Sequence, residues 1–168
     1  TPPPPPSNDN FATPIAVSCG NVYTGDTSAP ATLDEDNAPD GFGADLDAPN
    51  LWYSFTGSGA PQTVTLDLCG SSYDTSVLVY TGTSGNLTLV AANDDDGTCT
   101  SNATNSKLSF NSDGVTTYYI TVEGYNVGNV GAFTMNVTCA AVKPPAVNNQ
   151  DCGTALTVNV DGTDTNSD

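Results

Sequence analysis

The segment Thr63-Val64-Thr65-Leu66-Asp67-Leu68 alternates polar and apolar side chains at every position. Because successive side chains of a β-strand point to opposite faces of a sheet, this alternation puts Val64, Leu66 and Leu68 on one buried face. The stretches 117–122 and 132–137 alternate in a similar way. These segments predict β-strands that bury one face against a core.

Comparable short runs, rich in Thr, Val, Ser, Asn and Gly, recur between turn residues, and helix signals are nearly absent. The predicted strands cover residues 14–18, 21–26, 51–56, 62–68, 75–81, 86–91, 107–111, 116–123 and 131–138. Eight or nine short antiparallel strands without a helical crossover predict an all-β fold, an antiparallel β-sandwich of the jelly-roll type. The stretch 28–50 has no strand pattern, and a loop that long needs a reason to be ordered.

Two segments of the chain follow a common pattern, since residues 149–158 resemble residues 8–17 and both follow prolines. Because the second copy begins at residue 149 and the first at residue 8, the repeat is as long as a whole domain, which indicates modules in tandem. We therefore predict a proline-rich linker at 1–7, a complete β-sandwich at 8–140, a second proline linker at 141–147 and the start of a second like module at 148–168. There is no apolar run long enough to span a bilayer and no signal peptide, so we expect a mature chain.

The charge balance is strongly acidic, with 19 Asp and Glu against Lys107 and Lys143, and without His or Arg. Such a surface repels phosphates and anionic lipid headgroups, which argues against nucleic acid partners and membrane insertion. The carboxylates need a counter-ion from outside the chain. Outside cells, the hard divalent cation available to them is calcium, which we predict as the bound ion.

Cysteines occur at positions 19, 69, 99, 139 and 152. With no close pair of the CxxC kind and no His, a zinc site is disfavoured, and a disulfide framework in an oxidising compartment fits better. The four cysteines of the complete module allow three connectivities. We favour Cys69–Cys99, which would tie two loops, and Cys19–Cys139, which would join the first strand to the last. Cys152 would then pair within the rest of the second module or with another chain.

Several ordered motifs carry a resemblance to a known family. They are Asn8-Asp9-Asn10-Phe11-Ala12, Leu51-Trp52-Tyr53-Ser54-Phe55-Thr56, Leu68-Cys69-Gly70-Ser71-Ser72-Tyr73-Asp74-Thr75, Val77-Leu78-Val79-Tyr80-Thr81-Gly82, Asn93-Asp94-Asp95, Thr116-Thr117-Tyr118-Tyr119-Ile120 and Val122-Glu123-Gly124-Tyr125. Over residues 8 to about 139, the chain resembles the bacterial pre-peptidase C-terminal domain. The resemblance implies a secreted, non-catalytic β-sandwich module of the kind found on proteases, other hydrolases and cell-surface proteins.

The resemblance also implies a calcium site where the N-terminal segment meets the strand that contains Trp52. Relatives in bacterial collagenases bind collagen, and they bind calcium at that place. Carried over to this chain, the site points to Asn8, Asp9, Asp45 and Asp47. Prolines stand upstream of Asn8 where those relatives have acidic ligands, so ligands could come instead from Asp34, Asp36 or Asp40. The alternative is a solvated, disordered acidic loop, because no EF-hand spacing is present.

A second candidate calcium site combines Asp74 with Asp94 and Asp95. Asp74 precedes one predicted strand and the run of Asp residues follows the next, so a hairpin can bring them together. In the alternative reading, these side chains cap turns through hydrogen bonds to the backbone.

Aromatic residues in the strands have a structural and a functional reading. We expect Trp52, Phe55 and Tyr119 in the core, because aromatic side chains in alternating strands fill sandwich interiors. Tyr53 and Tyr118 would face the other way, where an exposed ring could stack on a sugar.

Catalysis finds little support in the sequence. There is no His to act as a base, no Ser-His-Asp set and no thiol beside a basic residue. A carboxylate pair could run a glycosidase mechanism, but surplus carboxylates in so acidic a chain carry little information. We therefore predict that the protein is not an enzyme.

The composition and the resemblance together predict a secreted structural module of a bacterial extracellular fibre or cell-surface adhesin, stiffened by disulfides and calcium. A strand containing Leu156, Val158 and Val160 could complete a sheet in a neighbouring molecule and so form a head-to-tail polymer, or it could simply begin the next module of a tandem array. Partners would be copies of the chain or adjacent like modules. The alternative is a substrate-targeting module of a secreted hydrolase that binds a collagen-like protein or a polysaccharide.

Overall fold

The computed structural model describes residue 1 and residues 3–142, and nine β-strands form the framework of this part of the chain. They are β1 (Ile15–Val17), β2 (Asn21–Asp26), β3 (Leu51–Thr56), β4 (Gln62–Asp67), β5 (Thr75–Thr83), β6 (Asn86–Asn93), β7 (Lys107–Ser112), β8 (Thr117–Gly124) and β9 (Ala132–Ala141). A strand occurs at each of the nine predicted places. No helix in the described residues is long and apolar enough to cross a membrane.

The strands form two sheets that pack as a β-sandwich, which confirms the predicted fold class. The first sheet has the order β1-β3-β8-β5-β6 and the second has the order β2-β9-β4-β7. The pairing is antiparallel except at one edge, where β1 runs parallel to β3 with Ile15 opposite Tyr53. This one parallel pair departs from the antiparallel pairing that the sequence predicts. Because residues 18–20 carry the chain from the first sheet to the second, β1 and β2 do not pair as a hairpin.

The main core lies between the inner faces of the two sheets. Val64, Leu66 and Leu68 are fully buried, as the alternation predicts. They pack in one cluster with side chains of β9 and of the first sheet, among them Met135, Val137, Phe55, Val79, Ile120 and Val122. Alternation in the second sheet leaves its other face to solvent, which is the usual pattern of an antiparallel sandwich.

The first sheet is buried on both faces, because residues 28–50 and the segment around Phe11 cover its outer face. Beneath this cover lies a second apolar cluster of Phe11, Ala44, Leu46, Trp52, Leu78, Tyr80 and Leu87. The ring of Phe11 meets Trp52 edge-on with centroids 5.1 Å apart. The long loop is therefore ordered because it supplies the third layer of the fold.

Aromatic side chains pack on both faces of the first sheet, with Tyr53 and Tyr118 on the inner face, in the main core. Phe55 lies in the main core, Trp52 in the second cluster, and Tyr119 is partly buried against that cluster. Tyr53 is only 1% exposed and Tyr118 only 7%, so the expectation that both face solvent was wrong. The Tyr118 ring packs 4.9 Å from that of Phe110, and its hydroxyl donates to the carbonyl of Asn111 at 3.2 Å.

Two disulfides join distant parts of the sandwich, with the predicted pairing. Cys19–Cys139 connects the segment between β1 and β2 to β9, and Cys69–Cys99 connects the segments that follow β4 and β6. The Cα atoms of the two pairs are 5.5 and 5.0 Å apart, within the usual range for this bond. Cys152 lies outside the described residues, as do the predicted second module and most of the linker before it.

Candidate cation site

Three carboxylates converge at one end of the first sheet, where β5 begins and β6 ends. Asp74, Asp94 and Asp95 each present an oxygen, and these oxygens all lie within 4.8 Å of one another. Asp95 is exposed, whereas Asp74 and Asp94 are half-buried. The predicted hairpin, β5 and β6, brings the three residues together. Oxygens at this separation can share one calcium ion, since calcium–oxygen distances are about 2.3–2.6 Å.

The carboxylates of the half-buried pair lack internal partners. Oδ1 of Asp74 and Oδ1 of Asp94 are buried and accept no hydrogen bond within the described part of the chain. Burial, followed by repulsion from Asp95 and then Asp74, raises the pKa of Asp94 to about 6. Burial and then the charge of Asp95 also raise the pKa of Asp74. The triad is therefore a concentration of negative charge that a cation would relieve.

The backbone around the triad is held firmly, in contrast to these oxygens. The hydroxyl of Ser106 donates to the carbonyl of Asp94 at 2.6 Å, and the amide of Tyr125 donates to the carbonyl of Asp74 at 3.2 Å. Asn93 reaches forward to the carbonyl of Asp95 at 3.1 Å. The three carboxylates are thus displayed by a fixed frame. The turn-capping alternative describes their neighbour Asp96, which accepts the amide of Thr98 at 2.8 Å.

A buried acid that sequence reasoning missed lies on the same sheet. Glu123 of β8 is fully buried, and its Oε2 accepts the amide of Ala48 at 3.0 Å. Burial is the first cause that raises the pKa of Glu123 to about 9, and the nearby charges of Asp47 and Asp40 add to it. Its other oxygen, Oε1, has no hydrogen-bond partner among the described residues. Alternation in β8 indicates an outward, solvated side chain at this position, and only the loop cover reverses that.

Some of the residues predicted at the N-terminal calcium site, namely Asn8, Asp9 and Asp34, lie near one another. Each of them forms hydrogen bonds within the protein. The Asp9 carboxylate binds the amide and hydroxyl of Thr32 at 2.7 and 2.6 Å. Asn8 donates to the carbonyl of Trp52 at 3.0 Å. Asp34 accepts the amide of Phe11 at 2.7 Å. These contacts anchor the long loop, which answers the alternative that the loop is disordered.

The other loop acids are spread along its course over the sheet. Asp36 accepts bonds from Ser84 at 2.7 Å and Gly85 at 3.0 Å, in the turn between β5 and β6. Asp40 accepts the amide of Leu46 at 2.8 Å. Asp45 and Asp47 are exposed. Within the described ranges, none of the seven N-terminal candidates belongs to a group of three convergent carboxylates. Calcium binding by them stays a prediction.

Leu156, Val158 and Val160 of the predicted assembly strand lie outside the described residues, so their pairing also stays a prediction.

Comparison with known proteins finds no matching family model and no matching curated protein. Among solved structures, the chain is similar to the pre-peptidase C-terminal domain of collagenase from Bacillus anthracis, with a TM-score of 0.43 and 13% sequence identity. The similarity covers 74% of this chain and 93% of that chain. The likeness is one of fold.

Proposed function

We propose that the chain is a non-catalytic extracellular β-sandwich module that binds calcium through Asp74, Asp94 and Asp95. The observation that carries this proposal is the convergence of three carboxylate oxygens within 4.8 Å. Two of the carboxylates have buried oxygens that find no hydrogen-bond partner among residues 3–142. Calcium accepts six to eight oxygen ligands at irregular spacing, and water can complete the sphere on the side of the exposed Asp95.

The surrounding charge supports a cation from solution as the counter-ion. The chain has a formal net charge of −17. The ammonium of Lys107 lies 3.0 Å from a carboxylate oxygen of Asp67, so it is engaged away from the triad. A divalent ion at the triad would reduce the repulsion among its three members.

The position of the triad supports a mechanical role. Asp74 precedes β5 and Asp94 follows β6, so a shared ion would join the two strand ends. The disulfide Cys69–Cys99 lies in the same part of the sandwich, since it joins the segment after β4 to the segment after β6. An ion and a disulfide at one end of the sandwich, with Cys19–Cys139 joining β9 to the segment before β2, suit a rigid unit of an extracellular fibre or adhesin.

Calcium titration calorimetry and thermal melting test the metal site. We expect binding tighter than millimolar, with a rise in Tm on calcium addition. Asp94→Asn and Asp95→Asn should weaken binding by about tenfold or more, since each removes a charged ligand. Glu35→Gln, an exposed acid on the long loop, serves as the control and should bind like wild type. Absence of binding, or unchanged binding in both Asp variants, would overturn the proposal.

The fibre role is tested by the solution size of the full chain, measured by light scattering in calcium. We expect concentration-dependent chains, and we expect Leu156→Asp with Val158→Asp to return the protein to a monomer by spoiling an apolar strand. A monomeric wild-type chain at all concentrations would rule out assembly by strand addition and leave the calcium site to its own test.

Binding of an extracellular protein or polysaccharide is a second candidate function, favoured by one exposed residue. Phe42 is 72% exposed, and its φ of 57° is unusual for a bulky residue. Its neighbours Gly41 and Ala44 form a β-bridge, so the ring is presented at the tip of a tight turn. Retention on immobilised collagen or polysaccharide that is lost in Phe42→Ala would favour this role. No retention of the wild-type chain would remove it.

A further inference from the structure

Six buried side-chain oxygens have no hydrogen-bond partner in the part of the chain that the structure describes. Two are the phenol oxygens of Tyr73 and Tyr80, and the other four belong to residues at the end of the first sheet where β5 begins. These four are Asp74 Oδ1, Ser76 Oγ, Asp94 Oδ1 and Glu123 Oε1. Buried polar atoms are normally hydrogen-bonded, so a concentration of exceptions in one place indicates a missing partner. The triad accounts for Asp74 and Asp94, and it leaves Ser76 and Glu123 without an explanation.

The strand register places these residues side by side. Ser76 of β5 stands directly opposite Glu123 of β8. In antiparallel strands, the Cβ atoms of opposed residues are about 4.5–5.5 Å apart and lie on the same face. On the other side of β5, Val77 pairs with Asn93, so the next residue, Asp94, falls beside Ser76. Asp94, just past the end of β6, therefore continues a row with Ser76 of β5 and Glu123 of β8 on the outer face of the first sheet.

Both unexplained side chains are deeply buried. Ser76 is 1% exposed and Glu123 is 0% exposed. A buried carboxylate destabilises the folded protein unless it is paired, protonated or bound to a metal. One oxygen of Glu123, Oε2, accepts the amide of Ala48, and the other, Oε1, has no hydrogen-bond donor among the described residues.

We propose a second, inner cation position in which Glu123 Oε1 and Ser76 Oγ are ligands for a hard divalent cation of the calcium type. The inference rests on the proposed calcium binding at the triad and extends that site beneath the loop. Two oxygens bound to one calcium ion lie within about 5 Å of each other. Glu123 does not belong to the group of oxygens that meet within 4.8 Å at the triad, so it requires a position of its own.

An ion at the inner position would connect the sheet to its cover. Glu123 holds the loop through Ala48, so the ion would compensate the charge of the residue that anchors residues 40–48. Asp45 and Asp47 lie on this part of the loop and raise the local negative potential. Calcium would thereby stabilise the long loop as well as the ends of β5 and β6.

The number of bound ions tests the inference, by native mass spectrometry and calorimetry of the full chain with calcium as the only ligand. We expect two ions in wild type and one in Glu123→Gln. Gln keeps an oxygen for the Ala48 amide and removes the charge. Ser76→Ala should weaken the inner ion by about tenfold or more. Glu35→Gln changes the only other glutamate of the chain and should retain two ions.

Thermal melting separates a ligand from a purely structural residue. Without calcium, Glu123→Gln should raise Tm, because it removes an acid that must be either protonated or buried with its charge when the protein folds. With calcium, it should lose part of the rise that wild type shows. An equal shift in both buffers would contradict the inner position. One ion in wild type that disappears in Asp95→Asn and persists in Ser76→Ala would overturn the inference and leave the triad intact. No ion at all would overturn both.

Discussion

The Asp9 carboxylate accepts two hydrogen bonds from Thr32, one from its amide at 2.7 Å and one from its hydroxyl at 2.6 Å. Asp9 is only 3% exposed. Bonds to an ionised acceptor are roughly twice as strong as neutral ones, and burial strengthens them further. This pair fixes the start of the long loop to the N-terminal segment, across 23 residues of sequence.

Asp9→Asn should lower the free energy of unfolding by about 1–3 kcal/mol, because the charge is lost and an NH2 donor replaces the oxygen that accepts one of the two bonds. Thr32→Ser keeps both donors and should remain within about 0.5 kcal/mol of wild type. Urea denaturation in calcium-free buffer measures both variants without any contribution from bound metal. Equal stability of Asp9→Asn and wild type would show that the pair contributes nothing net.

The two disulfides should differ in what they contribute to stability. Cys19–Cys139 spans 120 residues and Cys69–Cys99 spans 30. Loop-closure entropy assigns about 5 kcal/mol to the longer loop and about 3.6 kcal/mol to the shorter one. Replacing Cys19 and Cys139 with Ala should therefore destabilise the protein by roughly 1 kcal/mol more than replacing Cys69 and Cys99 with Ala. Denaturant midpoints of the two double variants decide the order, and the reverse order would mean that native-state contacts dominate over chain entropy.

Much of the fold could be predicted because strand periodicity and turn residues are local signals. Val64 and Leu66 show this best, since both occupy the buried face that their alternation indicates. The rule fails at Trp52 and Glu123, whose side chains lie on the outer face of the first sheet and are nevertheless fully buried, because the loop covers that face. A period of two identifies which side chains share a face, but it does not reveal what covers the other face. That cover comes from a loop with no periodicity of its own.

The candidate site was predictable only where neighbouring strands bring its members together. Asp74 and Asp94 flank a hairpin, so their meeting follows from local connectivity. Ser76 and Glu123 meet through the pairing of β5 with β8, which are not consecutive strands. The acids of the long loop were predicted as ligands from composition and resemblance, and several of them accept hydrogen bonds from backbone amides. Amino-acid composition does not reveal which backbone N–H groups lie beside a carboxylate in the folded chain, so these hydrogen bonds could not be predicted from it.

Gly124 at the end of β8 should not tolerate a side chain. A Cβ at this position would lie 1.7 Å from the backbone carbonyl oxygen of Asn129. Atoms cannot approach so closely, so the backbone at Asn129 would have to move. Gly124→Ala should destabilise the protein by more than about 2 kcal/mol. At Gly70, a Cβ would meet its nearest atom at 3.8 Å, so Gly70→Ala serves as the matched control with little effect. Similar melting temperatures of the two variants would disprove the tight approach of the loop after β8.

Three of the buried tyrosines, Tyr53, Tyr73 and Tyr80, should make the protein sensitive to alkali. Burial raises the pKa of Tyr53 from 10.0 to about 12, and it raises the pKa values of Tyr73 and Tyr80 as well. A pKa that is higher in the folded state means that folding favours the protonated phenol. This contribution is fully present below pH 10, the unfolded value, and is lost as the pH rises through 12. Each such group lowers stability by up to about 1.4 kcal/mol per pH unit in that window.

Ultraviolet titration of tyrosinate, followed together with circular dichroism, measures this effect. Of the seven tyrosines, we expect three to ionise only as the fold is lost. Tyr53→Phe should reduce the steepness of the loss of stability above pH 10, because one buried phenol no longer resists ionisation. Tyr125→Phe, at a position 55% exposed, is the control and should leave the steepness unchanged. The contrary result is that all seven ionise near pH 10 while the circular dichroism stays native. The phenols of Tyr53, Tyr73 and Tyr80 would then be hydrated in the folded protein, and the packing around them would be looser than their burial indicates.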